Sequence, residues 1–547
     1  MNVVFSEITH NAIDSLKKKL SIKDSETLDG EFLCLSYIKL ENNLPLYLDG
    51  EFSFVLYNSE KGFYFGARDP LGIKSLYYIK TQNGYRLSSN IDELLQLPDV
   101  SKTPNLKSMR TMLYHRTVDY PYTMYEGIYR LPPGHFMTIE NGKEHIERYW
   151  FPEKIKINRD ITEEEAGKKL HKLFSKAVDN SLSNLDETAF EVSGGLDSSS
   201  VVSLLSQALD PSKLDSYSMD FEDLKCDEGE YVESILKQYS LHHQKIPVGY
   251  LDYEQSYSLE QLYTISPNWP ITLTFAMSLP MLEKMKKDGK KVVITGQGGD
   301  HLFTGTPYAL YSLFRRFKFV SLYRELKFYP KPWRTVKAYI IRPILGEKMV
   351  EFIKKMIGKK NKEKNPFLEQ DTSIKDLTEM IGVKDLAFKN ALDMVTSAAQ
   401  STIMDGNLFH CAEEHFGIEY RHPYFDKELV EFALSLPPEM KYKNKTIKWI
   451  LRKAMDGILP DKIRDRKDKA EFSEVITQQI DAIDFSTLLD DPYIVKLGLI
   501  EQSLIDKHRK EYENKTVKYI VFLWTIINVE YWYRYNFEED SLPKPTV

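Results

Sequence analysis

A short stretch of glycine and serine, residues 193–199 (Ser-Gly-Gly-Leu-Asp-Ser-Ser), lies between a segment of strand type and a segment of helix type. Residues 189–192 before it form a short, mostly apolar run, and residues 199–209 carry apolar side chains at helical spacing. A glycine-rich turn from a strand into a helix presents backbone N–H groups and the positive helix end, which together favour an anion such as phosphate. The stretch, which we call the first loop, therefore predicts a phosphate site.

The composition of the first loop fits a nucleotide that is held through a metal ion. Gly194 and Gly195 allow positive φ angles and a close approach of the backbone, and the serines add hydroxyl donors. Asp197 alone would repel phosphate, so its presence indicates a Mg²⁺ ion that bridges its carboxylate to the phosphates. The Gly-Lys-Ser/Thr ending of a Walker P-loop is missing, which leaves a different class of ATP site or, as the alternative, a purely structural turn.

A second loop of the same kind, residues 296–300 (Gly-Gln-Gly-Gly-Asp), follows a predicted strand. Ligands of open parallel sheets bind outside the carboxyl ends of the strands, where both loops would lie. We therefore expect Asp197 and Asp300 to share one Mg²⁺ ion. Either loop alone is weak evidence, since a glycine-rich turn is often only a turn, and the prediction depends on the pair.

At 547 residues the chain is too long for one core, and two patterns divide it. Residues 29–150 are β-rich, with a predicted hairpin in residues 52–65, and predict an antiparallel sheet domain over 1–152. Over 153–547, strands alternate with helices and give way to helices after residue 306, which predicts a parallel sheet and an α/β fold. The alternating segments are a helix over 161–182, a strand over 189–192, a helix over 199–209, a strand over 216–220, a helix over 231–241 and a strand over 291–295.

Composition argues against nucleic-acid-binding and membrane proteins. The net charge of -7 gives no sign of non-specific nucleic-acid binding. Cys34, Cys226 and Cys411 are scattered and odd in number, which is typical of reduced thiols in a cytosolic protein. No apolar signal segment follows the N-terminus, and the most apolar run, residues 519–529, is shorter than the roughly 20 residues that span a bilayer. These features predict a cytoplasmic protein without a membrane span.

A strongly basic stretch stands out within this acidic chain. Residues 306–365 contain sixteen Lys or Arg against four Glu, with aromatic side chains between them. One interpretation is a solvated helical insertion at about 306–395. The other is a docking surface for an acidic or extended partner.

With these motifs in place, the chain resembles the asparagine synthetase family. The first loop is similar to that family's pyrophosphatase-type ATP loop, and residues 296–300 are similar to its second loop. Residues 417–426 and 466–473 resemble two further synthetase motifs, the second of which bears a lysine. Several N-terminal segments resemble the family's glutaminase domain. The resemblance implies an N-terminal degenerate glutaminase-like (Ntn-type) domain followed by an ATP-pyrophosphatase-type synthetase domain with additional helices.

The departures from the family pattern concern nitrogen delivery. A working glutaminase of the family has cysteine where Asn2 stands, and asparagine cannot supply the thiolate nucleophile. In the second loop, asparagine synthetases have glutamate and β-lactam synthetases have tyrosine where this chain has Gln297. The run that ends in Asp300-His301 is similar to that of the lasso-peptide cyclases, which also lack the N-terminal cysteine. The incoming amine is therefore expected from a source other than glutamine.

The resemblance implies a macrolactam-forming ligase that uses ATP and Mg²⁺. It would adenylate an Asp or Glu side chain of a precursor core peptide and close it onto the peptide's N-terminal amine. A leader-binding protein and a leader peptidase would be its partners. The implied catalytic residues are Lys469, Gln297, Asp300 and His301. The implied ATP-binding residues are Ser193, Gly194, Gly195, Leu196, Asp197, Ser198, Ser199, Ser218, Met219, Gly296, Gly298 and Gly299, and Asp197 and Asp300 would hold the metal.

Several alternatives remain open from the sequence. Lys467 could replace Lys469 in stabilising the pyrophosphate. The base that deprotonates the amine could be Glu413, Glu414, Asp405 or His301. The competing functions are an ammonia-dependent asparagine synthetase, another small-molecule amide ligase, and a non-catalytic scaffold.

Overall fold

Two sheets of opposite type organise the chain, an antiparallel one near the N-terminus and a parallel one in the centre. The structure is a computed structural model. It describes residues 1–8, 10–20, 29–221, 224–248, 257–356, 392, 408–468, 470, 472–483, 485–514 and 520–538.

The N-terminal region contains a five-stranded and a three-stranded antiparallel sheet. The five-stranded sheet has the order β1-β2-β3-β7-β8, and its strands are β1 (Asn2–Ile8), β2 (Phe52–Asn58), β3 (Phe63–Arg68), β7 (His135–Glu140) and β8 (Lys143–Arg148). The smaller sheet has the order β5-β4-β6, and its strands are β4 (Tyr77–Thr81), β5 (Gly84–Ser88) and β6 (Ile128–Arg130). The pairing of β2 with β3 confirms the predicted hairpin.

Helices also occur in the N-terminal region, where β structure was expected from residue 29 onward. They are α1 (His10–Lys19), α2 (Asp29–Leu40), α3 (Leu44–Tyr47), α4 (Ile91–Leu95) and α5 (Leu106–His115). The expectation was wrong for α2 and α3. In α2 the buried side chains of Phe32, Leu33 and Ser36 follow helical spacing, which places them on one face.

The C-terminal region is built on a parallel sheet of order β11-β10-β9-β12-β13. Its strands are β9 (Thr188–Glu191), β10 (Asp215–Asp220), β11 (His242–Pro247), β12 (Val292–Ile294) and β13 (Glu419–Arg421). All four pairings are parallel, so the carboxyl ends of the strands and the loops that follow them share one edge. The predicted α/β architecture is confirmed.

Helices cover both faces of this sheet. They are α6 (Glu163–Ser181), α7 (Leu196–Ala208), α8 (Gly229–Tyr239), α9 (Leu259–Ile265), α10 (Leu273–Lys287) and α11 (Gly299–Phe303). Thr162 and Glu165 form a capping box at the start of α6. Phe190 belongs to the core shared with α6 and α7, whereas Ala189 belongs to the core shared with α10. Glu191 alternates with Phe190 and therefore lies on the α10 side.

The rest of the described chain is mainly helical, as predicted. Its helices are α12 (Ala309–Arg315), α13 (Phe319–Leu326), α14 (Pro332–Val336), α15 (Arg342–Met356), α16 (Lys427–Ser435), α17 (Pro438–Lys441), α18 (Trp449–Ala454), α19 (Asp461–Arg464), α20 (Ser473–Asp481), α21 (Phe485–Leu488), α22 (Tyr493–Lys496), α23 (Gln502–Glu513) and α24 (Ile520–Phe537). A small hairpin of β14 (Tyr442–Lys443) and β15 (Thr446–Ile447) precedes α18.

The predicted basic stretch and the apolar run near residue 520 both fall in this helical region. The basic stretch begins with α12 to α15, and residues 357–391 and 393–395 of the predicted insertion lie outside the described residues. The apolar run near residue 520 forms α24, whose side chains are largely buried. Across the described ranges, no helix has the length and apolarity that a bilayer crossing requires.

Candidate active site

The first loop connects β9 to α7 and is closed by its own serines. The Ser193 and Ser198 hydroxyls lie 2.9 Å apart, and the Ser193 N–H donates to Ser198 Oγ over 3.1 Å. Gly195 is the N-cap of α7, and no side chain caps the helix there. The N–H groups of the first turn therefore point outward at the positive end of a 13-residue helix, as an anion site requires.

The glycines of the second loop are explained by contact between the two loops. A Cβ atom on Gly296 would lie 2.6 Å from the Cα of Ser198, and one on Gly299 would overlap the carboxylate of Asp197. Gly298 has a φ of +97° and faces Tyr424, whose Cβ would be 2.8 Å away. A side chain at Gly296 or Gly299 would push the two loops apart, and one at Gly298 would push the second loop away from Tyr424, so Gly296 and Gly299 set the distance between Asp197 and the second loop.

Asp197 and Asp300 meet at one lysine, Lys448. Its Nζ lies 2.5 Å from Asp197 Oδ2 and 2.8 Å from Asp300 Oδ1. Burial alone would lower the pKa of Lys448, but the two carboxylates outweigh it and raise that pKa above its ordinary value. Lys448 is therefore an ammonium ion held between the two acids that the sequence predicted to be neighbours.

Sequence reasoning missed Lys448, because 251 residues separate it from Asp197. It directly follows the hairpin of β14 and β15, with a left-handed φ of +55° that is uncommon outside glycine. Its side chain is 7% exposed, whereas that of Asp300 is 44% exposed. The one feature of the sequence that pointed to it was its place among several lysines just before a helix.

A cavity of about 380 Å³ opens beside this cluster. Four basic side chains line it, namely those of Lys448, Arg452, Arg466 and Lys467. Its other lining residues include Met219 near the end of β10, one of the implied ATP-binding residues, and the apolar side chains of Leu408 and Phe409. A cavity with several cations beside a helix N-terminus is suited to a polyphosphate.

The two carboxylates fit a magnesium ion that is shared with a nucleotide. Within the described ranges, no group of three or more His, Cys, Asp or Glu residues could hold a metal. Mg²⁺ typically takes one or two carboxylates and completes its shell with phosphate oxygens and water. Asp197 and Asp300, which both reach the ammonium of Lys448, are a donor pair of that kind.

The structure brings together nine of the predicted site residues and sets six others back from the cavity. Those that line it are Ser193, Gly195, Leu196, Asp197, Ser198, Met219, Gly296, Gln297 and Asp300. Those that do not line it are Gly194, Ser199, Ser218, Gly298, Gly299 and His301. Ser199 is fully buried, and Ser218 Oγ hydrogen-bonds His243 Nε2 at 3.0 Å. Lys469 and Asp405 lie outside the described residues, whereas the alternative Lys467 lines the cavity.

Glu413 and Glu414, two of the acids proposed as bases, face the N-terminal region, where Glu413 contacts Lys74 and Glu414 accepts from the side-chain amide of Asn90. Glu413 Oε2 lies 3.2 Å from Lys74 Nζ, and Glu414 Oε2 lies 3.2 Å from His410 Nε2. Neither acid lines the cavity. Their contacts are those of ion pairs, and Glu413 ties the two sheet regions together through Lys74.

The three cysteines are buried and none is activated. Cys34 lies in α2, and burial raises the pKa of its thiol. Burial likewise raises the pKa of Cys226 to about 11 and that of Cys411 to about 12. A nucleophilic cysteine needs a lowered pKa and solvent access, so these thiols are suited to packing. Asn2, the first residue of β1, pairs with Tyr57 at the edge of the antiparallel sheet.

Comparison with known proteins gives two family matches. Residues 169–534 match the asparagine synthase family, and residues 3–150 match the glutamine amidotransferase domain. Asparagine synthetase [glutamine-hydrolyzing] 3 of Bacillus subtilis is 25% identical over 525 residues, which covers 89% of this chain and 80% of the relative. Asparagine synthetase [glutamine-hydrolyzing] 1 of the same organism is 23% identical over 584 residues, which covers 99% of this chain and 87% of the relative.

Proposed function

This chain belongs to the asparagine synthase family and is an ATP-dependent carbon–nitrogen ligase of the asparagine-synthetase type, and we propose that it joins an adenylated side-chain carboxylate to a free amine or ammonia. The observation that carries the proposal is the meeting of Asp197, Lys448 and Asp300 between two glycine-rich loops. Two acids and a buried ammonium beside a basic cavity are an arrangement that binds a charged ligand, which argues against a non-catalytic scaffold.

In the first half-reaction the substrate carboxylate attacks the α-phosphorus of ATP and pyrophosphate leaves. The N–H groups at the start of α7 bind the phosphate oxygens, and Lys448 stabilises the negative charge that develops on pyrophosphate. A Mg²⁺ ion held by Asp197 and Asp300 would neutralise phosphate charge. The close contact at Gly296 keeps both loops in position, so little reorganisation is needed as the charge develops.

The nitrogen donor in this proposal is a free amine or ammonia. Glutamine hydrolysis by this fold needs a reactive thiolate, and Cys34, Cys226 and Cys411 are all buried with raised pKa values. The matched relatives are named as glutamine-hydrolyzing enzymes, so this chain would use the same synthetase chemistry with a different nitrogen source.

Two carboxylate substrates fit this reaction. Aspartate is the first candidate, because the matched relatives are named asparagine synthetases. An Asp or Glu side chain of a precursor peptide, closed onto the peptide's own amine, is the second. It is favoured by Gln297 at the cavity and by exposed aromatic side chains on the basic helices α13 and α14, among them Tyr323 and Trp333.

These basic helices would dock the peptide or the leader-binding protein and leader peptidase that deliver it. Arg324, Lys331 and Arg334 are exposed beside the aromatic side chains. Exchanging the three for glutamate should weaken peptide binding and leave ATP binding intact, because the helices lie apart from the residues that line the cavity. Unchanged peptide capture would assign these helices a structural role only.

The test supplies ATP and Mg²⁺ with either aspartate and ammonium chloride or a leaderless core peptide, and follows products by mass spectrometry. Release of AMP and pyrophosphate with asparagine formed identifies a small-molecule synthetase. Loss of one water from the peptide identifies a macrolactam-forming enzyme. Asp300→Ala should abolish either product, and a wild-type protein that releases no AMP with any carboxylate would overturn the proposal.

A further inference from the structure

Gln297, the residue of the second loop that lines the cavity beside Asp300, is neutral and offers no carboxylate to the amine half-reaction. The incoming nitrogen is an ammonium ion at neutral pH and must lose a proton before it can attack. Gln297 lines the cavity, but its amide cannot accept that proton. Some other group of the cavity has to bind the ammonium and take the proton.

Five acidic side chains line the cavity, and four of them contact a base. Asp197 and Asp300 contact Lys448. Glu228 and Asp468 contact Arg466. The fifth acid, Glu191, forms no ion pair in the part of the chain that the structure describes. Because its charge is not offset by a neighbour, Glu191 is the acid of the cavity that a cationic ligand can best satisfy.

Glu191 lies at the carboxyl edge of the parallel sheet, where the cavity opens beside the first loop. Glu191 is the last residue of β9, directly before the first loop, and lies on the face covered by α10. Thr274 and Ser278 of α10 line the same cavity. The Ser278 hydroxyl donates to the Thr274 carbonyl over 2.8 Å, so its oxygen lone pairs can accept from a ligand N–H.

We propose that Glu191 forms the amine subsite, where its carboxylate binds the incoming ammonium group and accepts its proton. This rests on the proposed function. Transfer of one proton to Glu191 gives the neutral amine, whose lone pair forms the new C–N bond at the acyl carbon. The C–O bond to AMP breaks, its electron pair leaves on the phosphate oxygen, and the second nitrogen proton leaves with AMP or to solvent.

The protonation behaviour of Glu191 is compatible with this role. Burial raises the pKa of Glu191 to about 7, so the group exchanges a proton readily near neutral pH. A bound ammonium would favour the charged carboxylate, and loss of that ammonium's proton would favour the neutral acid. Asp197 and Asp300 already contact the ammonium of Lys448, which leaves Glu191 as the acid of the cavity without a cationic neighbour among the described residues.

The first measurement is binding and needs no turnover. Titration calorimetry follows n-propylammonium binding to the wild type in the presence of ATP and Mg²⁺, and to Glu191→Gln, Glu191→Asp and the control Glu187→Gln. Glu187 lies four residues before Glu191, is partly exposed, and pairs with Lys291. We expect binding to weaken by about tenfold or more in Glu191→Gln and in neither of the others. Equal affinity in Glu191→Gln and wild type would overturn the subsite.

The second measurement separates amine chemistry from adenylation. With aspartate as the carboxylate, Glu191→Gln should lose about 10²-fold or more in asparagine formation from ammonium. Aspartate-dependent ATP–pyrophosphate exchange should be unchanged, because it precedes the amine. Hydroxylamine is uncharged near neutral pH and should restore product formation to within about tenfold of wild type. If Glu191→Gln lost product formation equally with ammonium and with hydroxylamine, Glu191 would position the substrate and would not accept a proton. If the wild-type protein showed no aspartate-dependent ATP–pyrophosphate exchange, the proposed function would be wrong and the amine subsite would be judged by the binding measurement alone.

Discussion

Each sheet region has an aspartate in the segment that follows a strand, Asp69 directly after β3 and Asp300 in α11 after β12, and the two acids have opposite surroundings. Asp69 follows β3, is 2% exposed, and accepts from the N–H groups of Leu71, Ile73 and Lys74 at 3.0 to 3.1 Å. Asp300 follows β12, lines a cavity, and contacts the side chain of Lys448. Asp69 is satisfied by its own turn, whereas Asp300 contacts a side chain that lies far away in sequence.

The difference shows how a structural motif can be told from a functional one in the same chain. Arg68, beside Asp69, donates to the carbonyls of Gly72, Lys74 and Leu131, so both charges are satisfied by backbone groups. Such a turn holds its shape without any ligand. The loops after β9 and β12 bring two carboxylates to one ammonium, an arrangement that supplies charge to a ligand. The turn at Asp69 is thus suited to stabilising the fold, and the two loops of the parallel sheet are suited to chemistry.

The largest expected effect is on Asp300. Asp300→Asn should reduce AMP formation by about 10³-fold, since it removes a charge that acts directly on the phosphates. Because the side chain is 44% exposed, the free energy of unfolding should change by no more than about 0.5 kcal/mol. Initial rates and thermal unfolding of the same preparations check both statements. AMP formation within tenfold of wild type would show that the acid pair is not the reactive site.

Lys448 offers the next largest effect and a direct test of metal binding. Lys448→Met should lower the rate of AMP formation by about 10²-fold through lost stabilisation of pyrophosphate. It also leaves Asp197 and Asp300 without their shared cation, so MgCl₂ should raise the Tm of the variant more than that of wild type. Lys445→Met, at an exposed position in the turn of the β14–β15 hairpin that does not line the cavity, is the matched control. An equal Mg²⁺ response in all three proteins would argue against a metal at this pair.

Local patterns predicted much of the C-terminal sheet, because each buried strand and amphipathic helix is encoded by neighbouring residues. The first loop, β10 and α8 lie close to where the sequence placed them. The three-residue β13 was missed, since its strand character comes from pairing with β12 and not from its own length. Lys448 and the cavity face of Glu191 were missed for the same reason. Both depend on which distant segments meet, and a single sequence does not encode that locally.

Substitution of Asp69 should lower stability and leave activity unchanged, which is the opposite of what we expect at Asp300. Asp69→Asn keeps the size of the side chain but cannot accept all three N–H bonds, and it leaves a buried donor without a partner. We expect a loss of about 2 to 4 kcal/mol in the free energy of unfolding, measured by denaturant titration. AMP formation per folded molecule should be unchanged. A catalytic loss at full stability would contradict the structural role of this turn.

The smallest effect concerns Lys441, which contrasts with Lys448 within one short segment. Lys441 is 4% exposed and forms no ion pair among the described residues, and its burial lowers the pKa to about 7. Between pH 7 and the ordinary lysine pKa of 10.5, the unfolded chain binds more protons at this lysine than the folded chain does, so the contribution of Lys441 to stability rises with pH. Below pH 7 Lys441 is charged in the folded protein too, so the full free-energy penalty of burying its ammonium group lowers the stability. Lys441→Met should therefore raise the free energy of unfolding by about 1 to 3 kcal/mol at pH 6.5 and by little at pH 10. Thermal unfolding across that range checks it, and a gain independent of pH would show that Lys441→Met acts through packing and not through charge.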